Sequence, residues 1–253
     1  MIRYDRKKVP VKVYQKLEMQ IIPTRHEASI FTSFKIQSDT LIPFLKEHDL
    51  KIFPWVLYAC LQTVKAYPHL RRFIMKGILY EHKHLTISTM IKKDKKVAGD
   101  NGFGKFILDE SMSAHDIQKM FNDTVSSSRS ESGNASDTLM KVMGIFPTAV
   151  FRLVKNILML LDRFDLLPNS IIDSDPLHAT AMIANLGSID GHSVYHHLYN
   201  WGTISLFITF GRLQSDGSLD ITFTIDERIS EGMVLFKAVE HFRKIMENPY
   251  EHV

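Results

Sequence analysis

Two periodicities share this chain. Residues 30 to 36, IFTSFKI, read as a strand, and SDTLIPFLKEHDLK follows as a short helix with Ser38 and Asp39 as N-cap candidates. Residues 53 to 66, FPWVLYACLQTVKA, are apolar nearly all round, the pattern of a helix buried against a sheet. In ILYEHKHLTISTMIKK the positions Leu85, Ile87, Thr89 and Ile91 alternate as a half-buried strand does. SAHDIQKMFNDTV reads as a helix with Met120 and Phe121 turned inward. After residue 180 strands dominate: TAMIANLG, TISLFITFGRL and LDITFTI are short and β-branched or aromatic, and QSDGS carries the Asp-Gly chemistry of a hairpin turn. The last helix, GMVLFKAVEHFRKIMENP, sets Leu235, Val239, Phe242 and Met246 on one face and stops before Pro249. Strands mixed with a few helices predict a mixed α/β or α+β domain.

The middle of the chain breaks this pattern. SSSRSESGNASD, residues 126 to 137, is polar, aperiodic and loop-like, and LMKVMGIFPTAVFRLVKNILMLLDRFDLLP follows, rich in Met, Leu and Phe. Pro147 should divide that segment into two helices. Base rates make them core helices; the sharper reading makes them a lid or groove for an apolar acyl chain, or a patch for peripheral contact with a membrane. With no repeat and no other linker, the chain is expected to form one domain over residues 1 to 253, with a variable loop and apolar helical insertion at about 126 to 170.

Composition narrows the partners. The net charge of +3 balances 31 basic against 28 acidic residues with no basic stripe, which argues against nucleic acid. The lone Cys60, inside an apolar run, excludes an intramolecular disulfide and suggests a buried thiol in a reducing, cytoplasmic setting. The start, MIRYDRKKVPVKVYQ, has no apolar core of a secretory signal, and no uncharged run reaches the roughly 18 residues of a membrane-spanning helix. No metal site is expected; His82 and His84, two apart beside Glu81, could share a strand face but lack a third ligand.

The chemistry-bearing stretch is ITFTIDERISEG, residues 221 to 232, where a strand runs into Asp226, Glu227, Arg228, Glu231 and Gly232 before the last helix. The order strand, D-x-R-x-x-x-G, amphipathic helix, E-N-P resembles the C-terminal signature of the acyltransferase catalytic domain of 2-oxo acid dehydrogenase complexes and of chloramphenicol acetyltransferase, roughly D-H-R-x-x-D-G and then L-E-N-P. AMIANLGSIDG, with Asn185, Leu186, Gly187 and Gly191, looks like the same family's F-T-I-S-N-L-G-x-x-G strand and turn. The turn at Tyr67 to Arg71 and the hairpin after it fit as well. The resemblance implies a chloramphenicol acetyltransferase-like, two-layer α/β sandwich around a large mixed sheet. It also implies a homotrimer with a channel between subunits, where a coenzyme A thioester is substrate rather than bound cofactor.

The resemblance also marks two departures. The family's histidine, which deprotonates the attacking thiol or hydroxyl, is replaced by Glu227, whose unperturbed pKa of about 4.3 lies about two units below that of imidazole. Met182 and Ala184 stand where the family's hydroxyl residues line the channel beside Asn185, so a side-chain oxyanion donor is lost. His196 and His197, in SVYHHLYNWG, are alternative bases or plain polar residues; His192 is expected to be exposed, and Asp175 and His178 to be ordinary loop residues. Asp226 and Arg228 would fix the corner, and Glu227 would act as a base or join a structural ion pair. The expected function is a divergent CoA-dependent acyl transfer, altered or lost, whose ligand could be acyl-CoA or lipid-like. The alternative is a non-catalytic scaffold or acyl- or lipid-binding protein on the same fold, so enzyme status stays open.

Overall fold

A computed structural model describes residues 5 to 92, 101 to 129, 145, 147 to 164 and 166 to 252. The element order is β1 (Arg6–Lys8), α1 (Val13–Ile21), β2 (Ser29–Ile36), α2 (Leu41–Glu47), α3 (Ile52–Ala66), β3 (Arg72–Met75), β4 (Ile78–His82), β5 (Leu85–Lys92), β6 (Asn101–Leu108) and α4 (Ala114–Arg129). Then come α5 (Thr148–Arg163), α6 (Asn169–Ser174), β7 (Ala181–Asn185), β8 (Leu206–Phe210), β9 (Leu219–Asp226) and α7 (Gly232–Glu247).

The six-stranded sheet runs β2-β9-β8-β7-β5-β6, with β7 parallel to both neighbours and the other pairings antiparallel. A small antiparallel sheet, β1-β4-β3, stands beside it. Because side chains alternate across a strand, β8 and β9 divide cleanly. Leu206, Ile208, Phe210, Ile221, Phe223 and Ile225 join one core cluster with α3 and α7. The opposite face carries Phe207, Thr209, Thr222, Thr224 and Asp226, all buried. Among the described residues no helix lies over that face beside β8; the coil from 192 to 205 does, through Leu198 and Ile204. Two hydroxyls hold it there: Thr209 and Thr222 each donate to the Val194 carbonyl, at 2.6 and 2.7 Å, and the Val194 amide donates to Thr209.

The strands and buried helices lie where the hydrophobic pattern places them, and Leu235, Val239, Phe242 and Met246 of α7 are all buried. Cys60 is buried too, which pushes its thiol up to about 12. Thr40 rather than Ser38 or Asp39 is the boundary residue of α2, yet Ser38 Oγ still accepts the Leu41 amide. The serine-rich stretch does not start as a loop: α4 continues to Arg129, and residues 130 to 137 lie outside those described. The apolar segment differs more. Of its two helices, residues 138 to 144 lie outside the described part, while α5 begins after Pro147 and is no core helix. Val150, Leu153, Ile157, Leu160 and Phe164 are exposed along it, and it enters the fold mainly through Leu161 and Asp162 near its C-terminal end. Among the described residues, no helix is long and apolar enough to cross a membrane.

Gly202 shows how tightly the covering coil is fitted. Its φ is +76°, and a Cβ there would lie 2.1 Å from the Leu177 carbonyl oxygen. Gly202→Ala is therefore expected to destabilise the fold by about 2 kcal/mol or more, lowering the melting temperature by roughly 4 to 8 °C in a thermal scan; an unchanged melting temperature would contradict this packing.

Candidate functional site

The corner after β9 is built from one buried ion pair. Arg228 donates through Nε to Asp226 Oδ1 at 2.8 Å and through a terminal nitrogen to Oδ2 at 2.7 Å, while its backbone amide also reaches Oδ1. Residues 227 to 229 form a tight 3-10 turn, and across it the guanidinium closes on the carboxylate in a fork-to-carboxylate geometry. The remaining terminal nitrogen donates to the Ile22 carbonyl at 2.7 Å, so the clamp also holds the exit of α1. Asp226 is fully buried and Arg228 nearly so.

Glu227 sits between them and is treated differently. Its amide is anchored on the Ala28 carbonyl at 3.0 Å, and its half-buried carboxylate has no hydrogen-bond or ion-pair partner among the described residues. The structural ion pair considered for it from the sequence does not form, because Arg228 is spent on Asp226. Glu18 of α1 is close enough to respond: its own burial and then the Glu227 charge raise its carboxyl above the usual range. Glu231 is exposed and pairs with Lys12 at 2.9 Å, which lowers its pKa, and a Cβ on Gly232 at the start of α7 would meet nothing within 4 Å.

On β7, Met182 and Ala184 face the threonine-bearing side of the sheet, Met182 buried and Ala184 half-buried. Asn185 Oδ1 accepts the Ser188 amide and caps the following turn. Gly187 in that turn is required by contact, since a Cβ would come 2.5 Å from the Gly211 carbonyl. Opposite Met182 in register is Ser88, fully buried, with an Oγ that has no partner among the described residues. His196 and His197 stack on each other in the covering coil, His196 against Phe207 at 4.0 Å and His197 edge-on to His26. Burial, then His196 and His26, lowers the pKa of the exposed His197. His192 is exposed as expected. His82 and His84 do not share a face: His82 ends β4, buried against Phe73, and His84 is exposed before β5.

The residues that sequence reasoning undervalued are Asp175 and His178. They form a buried dyad, Nδ1 to Oδ2 at 2.7 Å, while Trp201 Nε1 donates to the same oxygen at 2.5 Å and the Leu177 amide to Oδ1. The imidazole Nε2 faces Asp162 of α5 at 3.5 Å. Burial alone would lower the His178 pKa, but Asp162 and Asp175 outweigh it and hold it above 6.5; Asp175, against its own burial, is held below 3.8 chiefly by His178. The only sequence signal was the i, i+3 spacing with Trp201 downstream. Beside this dyad lies a cavity of about 600 Å³, walled by residues that include Met19, Arg25, Met75, Met159, Trp201 and Arg228.

Fold and corner together define a class: the protein has the chloramphenicol acetyltransferase-like fold. It covers 97% of this chain and 93% of a dihydrolipoamide acetyltransferase of Azotobacter vinelandii, at TM-score 0.61 and 13% identity. It matches a chloramphenicol acetyltransferase at TM-score 0.58 and 13% identity, over 96% and 98% of the two chains. A probable dihydrolipoamide acetyltransferase of Listeria monocytogenes 4b F2365 matches at TM-score 0.56 and 14% identity, over 95% and 94%. No protein-family model and no curated protein sequence matches the chain.

The dyad makes a pH prediction. A group whose folded pKa is raised contributes stability below its unfolded value and loses it as pH rises through the folded one. The stability gap between wild type and His178→Gln, read by urea unfolding, should therefore be widest near pH 6 and shrink toward alkaline pH; a gap that widens with pH would contradict the charged imidazole. The clamp makes another. Asp226→Asn leaves Arg228 buried and uncompensated, at an expected cost of about 3 to 5 kcal/mol, and Arg228→Met in the same chain should recover part of that loss.

Proposed function

We propose that this is a divergent acyltransferase-like protein that binds a coenzyme A thioester and passes its acyl group to an acceptor, with Glu227 as the base. The observation that carries this reading is the free carboxylate. A residue kept only for a structural ion pair would be paired, whereas Glu227 is held in place by its backbone while its neighbours neutralise each other. In the step envisaged, Glu227 takes the proton of an acceptor thiol or hydroxyl as its sulfur or oxygen adds to the thioester carbonyl. The tetrahedral intermediate then expels the CoA thiolate, which recovers the proton. A base two pKa units weaker than imidazole costs roughly 3 kcal/mol of proton-transfer driving force, so turnover is slow. For the Azotobacter enzyme, the roles of a serine, a histidine and an asparagine in the catalytic mechanism were investigated; here the base position is Glu227, and an oxyanion donor has to come from elsewhere than Met182 and Ala184. Coenzyme A enters as substrate and no resident cofactor is part of this reading. A homotrimer is supported by the family resemblance and by apolar side chains left exposed on α1 and the edge strand β2, among them Tyr14, Leu17, Ile21 and Phe31. The buried Cys60 thiol supports a reducing, cytoplasmic setting.

The non-catalytic, acyl-binding alternative is favoured by one specific feature: the sheet face offers Met182 and Ala184 where the resemblance leads one to expect hydroxyls, and losing one oxyanion donor typically costs about 2.7 to 4 kcal/mol. Thiol release from short- to long-chain acyl-CoA thioesters separates the two. The catalytic reading expects slow release by wild type, background release by Glu227→Gln, and at least about tenfold faster release at neutral pH by Glu227→His. Equal release by wild type and Glu227→Gln would overturn Glu227 as base. Binding without release by either would establish the alternative.

A further inference from the structure

The cavity beneath α5 has a wall of unusual composition. Met19, Pro23, Ile74, Met75, Met159 and Trp201 make much of it apolar and adaptable. Its charged groups are Arg25, Lys76, Arg228 and a single acid, Asp162. Asp162 faces the imidazole of His178, and Arg228 is matched by Asp226. Arg25 is the exception. It is buried, and its terminal nitrogens reach only backbone carbonyls, those of Tyr199 at 2.9 Å, Trp201 at 3.4 Å and Ile74 at 3.1 Å. Among the described residues its Nε has no partner, and no carboxylate lies within ion-pair distance. Burial pushes this guanidinium down to about 10, with Asp226 opposing at longer range. Buried charges in proteins are normally paired. A volume of about 600 Å³ lies within the range of small-molecule sites.

We propose that this cavity binds an amphipathic anion, an alkyl chain ending in a single carboxylate or phosphate, with the anionic head toward Arg25 and the chain among the methionines and Trp201 under α5. The proposal rests on the acyl-handling reading only in the choice of an alkyl ligand; the cavity and the unmatched guanidinium stand without it. Lys76 also lines the cavity, from a tight turn with φ of +56° followed by Gly77 at +67°, and its ammonium lies 5.9 Å from the centroid of the Phe164 ring. Met159 is part of the wall but partly open to solvent, so the chain end of the site is formed by the element that the sequence marked as an insertion.

Trp201 provides the readout. Trp55, the other tryptophan, is fully buried in the core, so a ligand-dependent change in indole emission reports the cavity. Titrating the full chain with dodecanoate, dodecyl phosphate and the neutral isostere dodecanol is expected to give a saturable Trp201 response. One or both anions should bind at least about tenfold more tightly than the alcohol, a ratio that a single buried charge-assisted contact supplies. The relative affinity of carboxylate and phosphate identifies the head group. Arg25→Met should erase the preference for the anion while leaving dodecanol binding. Because Arg25 also ties down backbone carbonyls, Met159→Glu at the partly exposed edge is the second variant: it should weaken both anions and spare the alcohol. Equal binding of dodecanol and the anions by wild type, or no Trp201 response to any of them, would overturn the proposal. Since none of these probes carries a thioester, failure here and failure of acyl transfer are told apart: CoA release without anion binding sinks only this site, and anion binding without release sinks only the transfer chemistry.

Discussion

Everything around the corner of β9 hangs on one buried ion pair. Asp226 ends the strand on the threonine-bearing face, and Arg228, turned back by a 3-10 turn, closes on it in a two-pronged contact while reaching across to the Ile22 carbonyl. A pair buried this deeply gains little over an apolar substitute, because the cost of desolvating both ions consumes most of their attraction. What it provides is geometry. It sets the direction in which α7 leaves, ties the end of α1 to the sheet, and leaves Glu227 on a backbone that cannot shift without breaking the clamp.

The two faces of the sheet divide the labour. One is sealed by α3 and α7 with aliphatic and aromatic side chains and carries the burden of stability. Beside β8 the other is covered by coil, and a coil over a sheet must satisfy its own backbone groups. Thr209 and Thr222 do this for Val194, and Arg25 does it for Tyr199 and Trp201. A helical cover would have needed none of these side chains, and would have left no polar wall for a ligand to meet. The presence of chemistry-bearing groups on this face is thus a consequence of how it is covered.

Much of this was legible in the residues. Alternation in LDITFTI and TISLFITFGRL gave the strands, and the all-apolar FPWVLYACLQTVKA gave the buried helix. The junction residues 226 to 232 were recognisable, Asp226 and Arg228 among them as the residues that fix the corner; the 3-10 turn, and with it the lone position of the Glu227 carboxylate, was not. The dyad of Asp175 and His178 was read as loop because it is completed by Asp162 and Trp201, thirteen residues before and twenty-six after Asp175, and no local pattern encodes such contacts. For α5 the composition misled. Met- and Leu-rich helices are usually core, and this one exposes Val150, Leu153, Ile157, Leu160 and Phe164 while using its C-terminal end to close a cavity.

A glutamate at position 227, where the family resemblance leads one to expect histidine, changes how charge would move at such a corner in the proposed step. An imidazole that accepts a proton there becomes a cation next to the Arg228 backbone, and its charged form is disfavoured by a neighbouring guanidinium. A carboxylate starts as an anion and becomes neutral on accepting a proton, so it creates no second cation beside Arg228, whose charge Asp226 already matches. The penalty is basicity, and the neighbour that registers the exchange is Glu18, whose carboxyl is raised by its burial and then by Glu227.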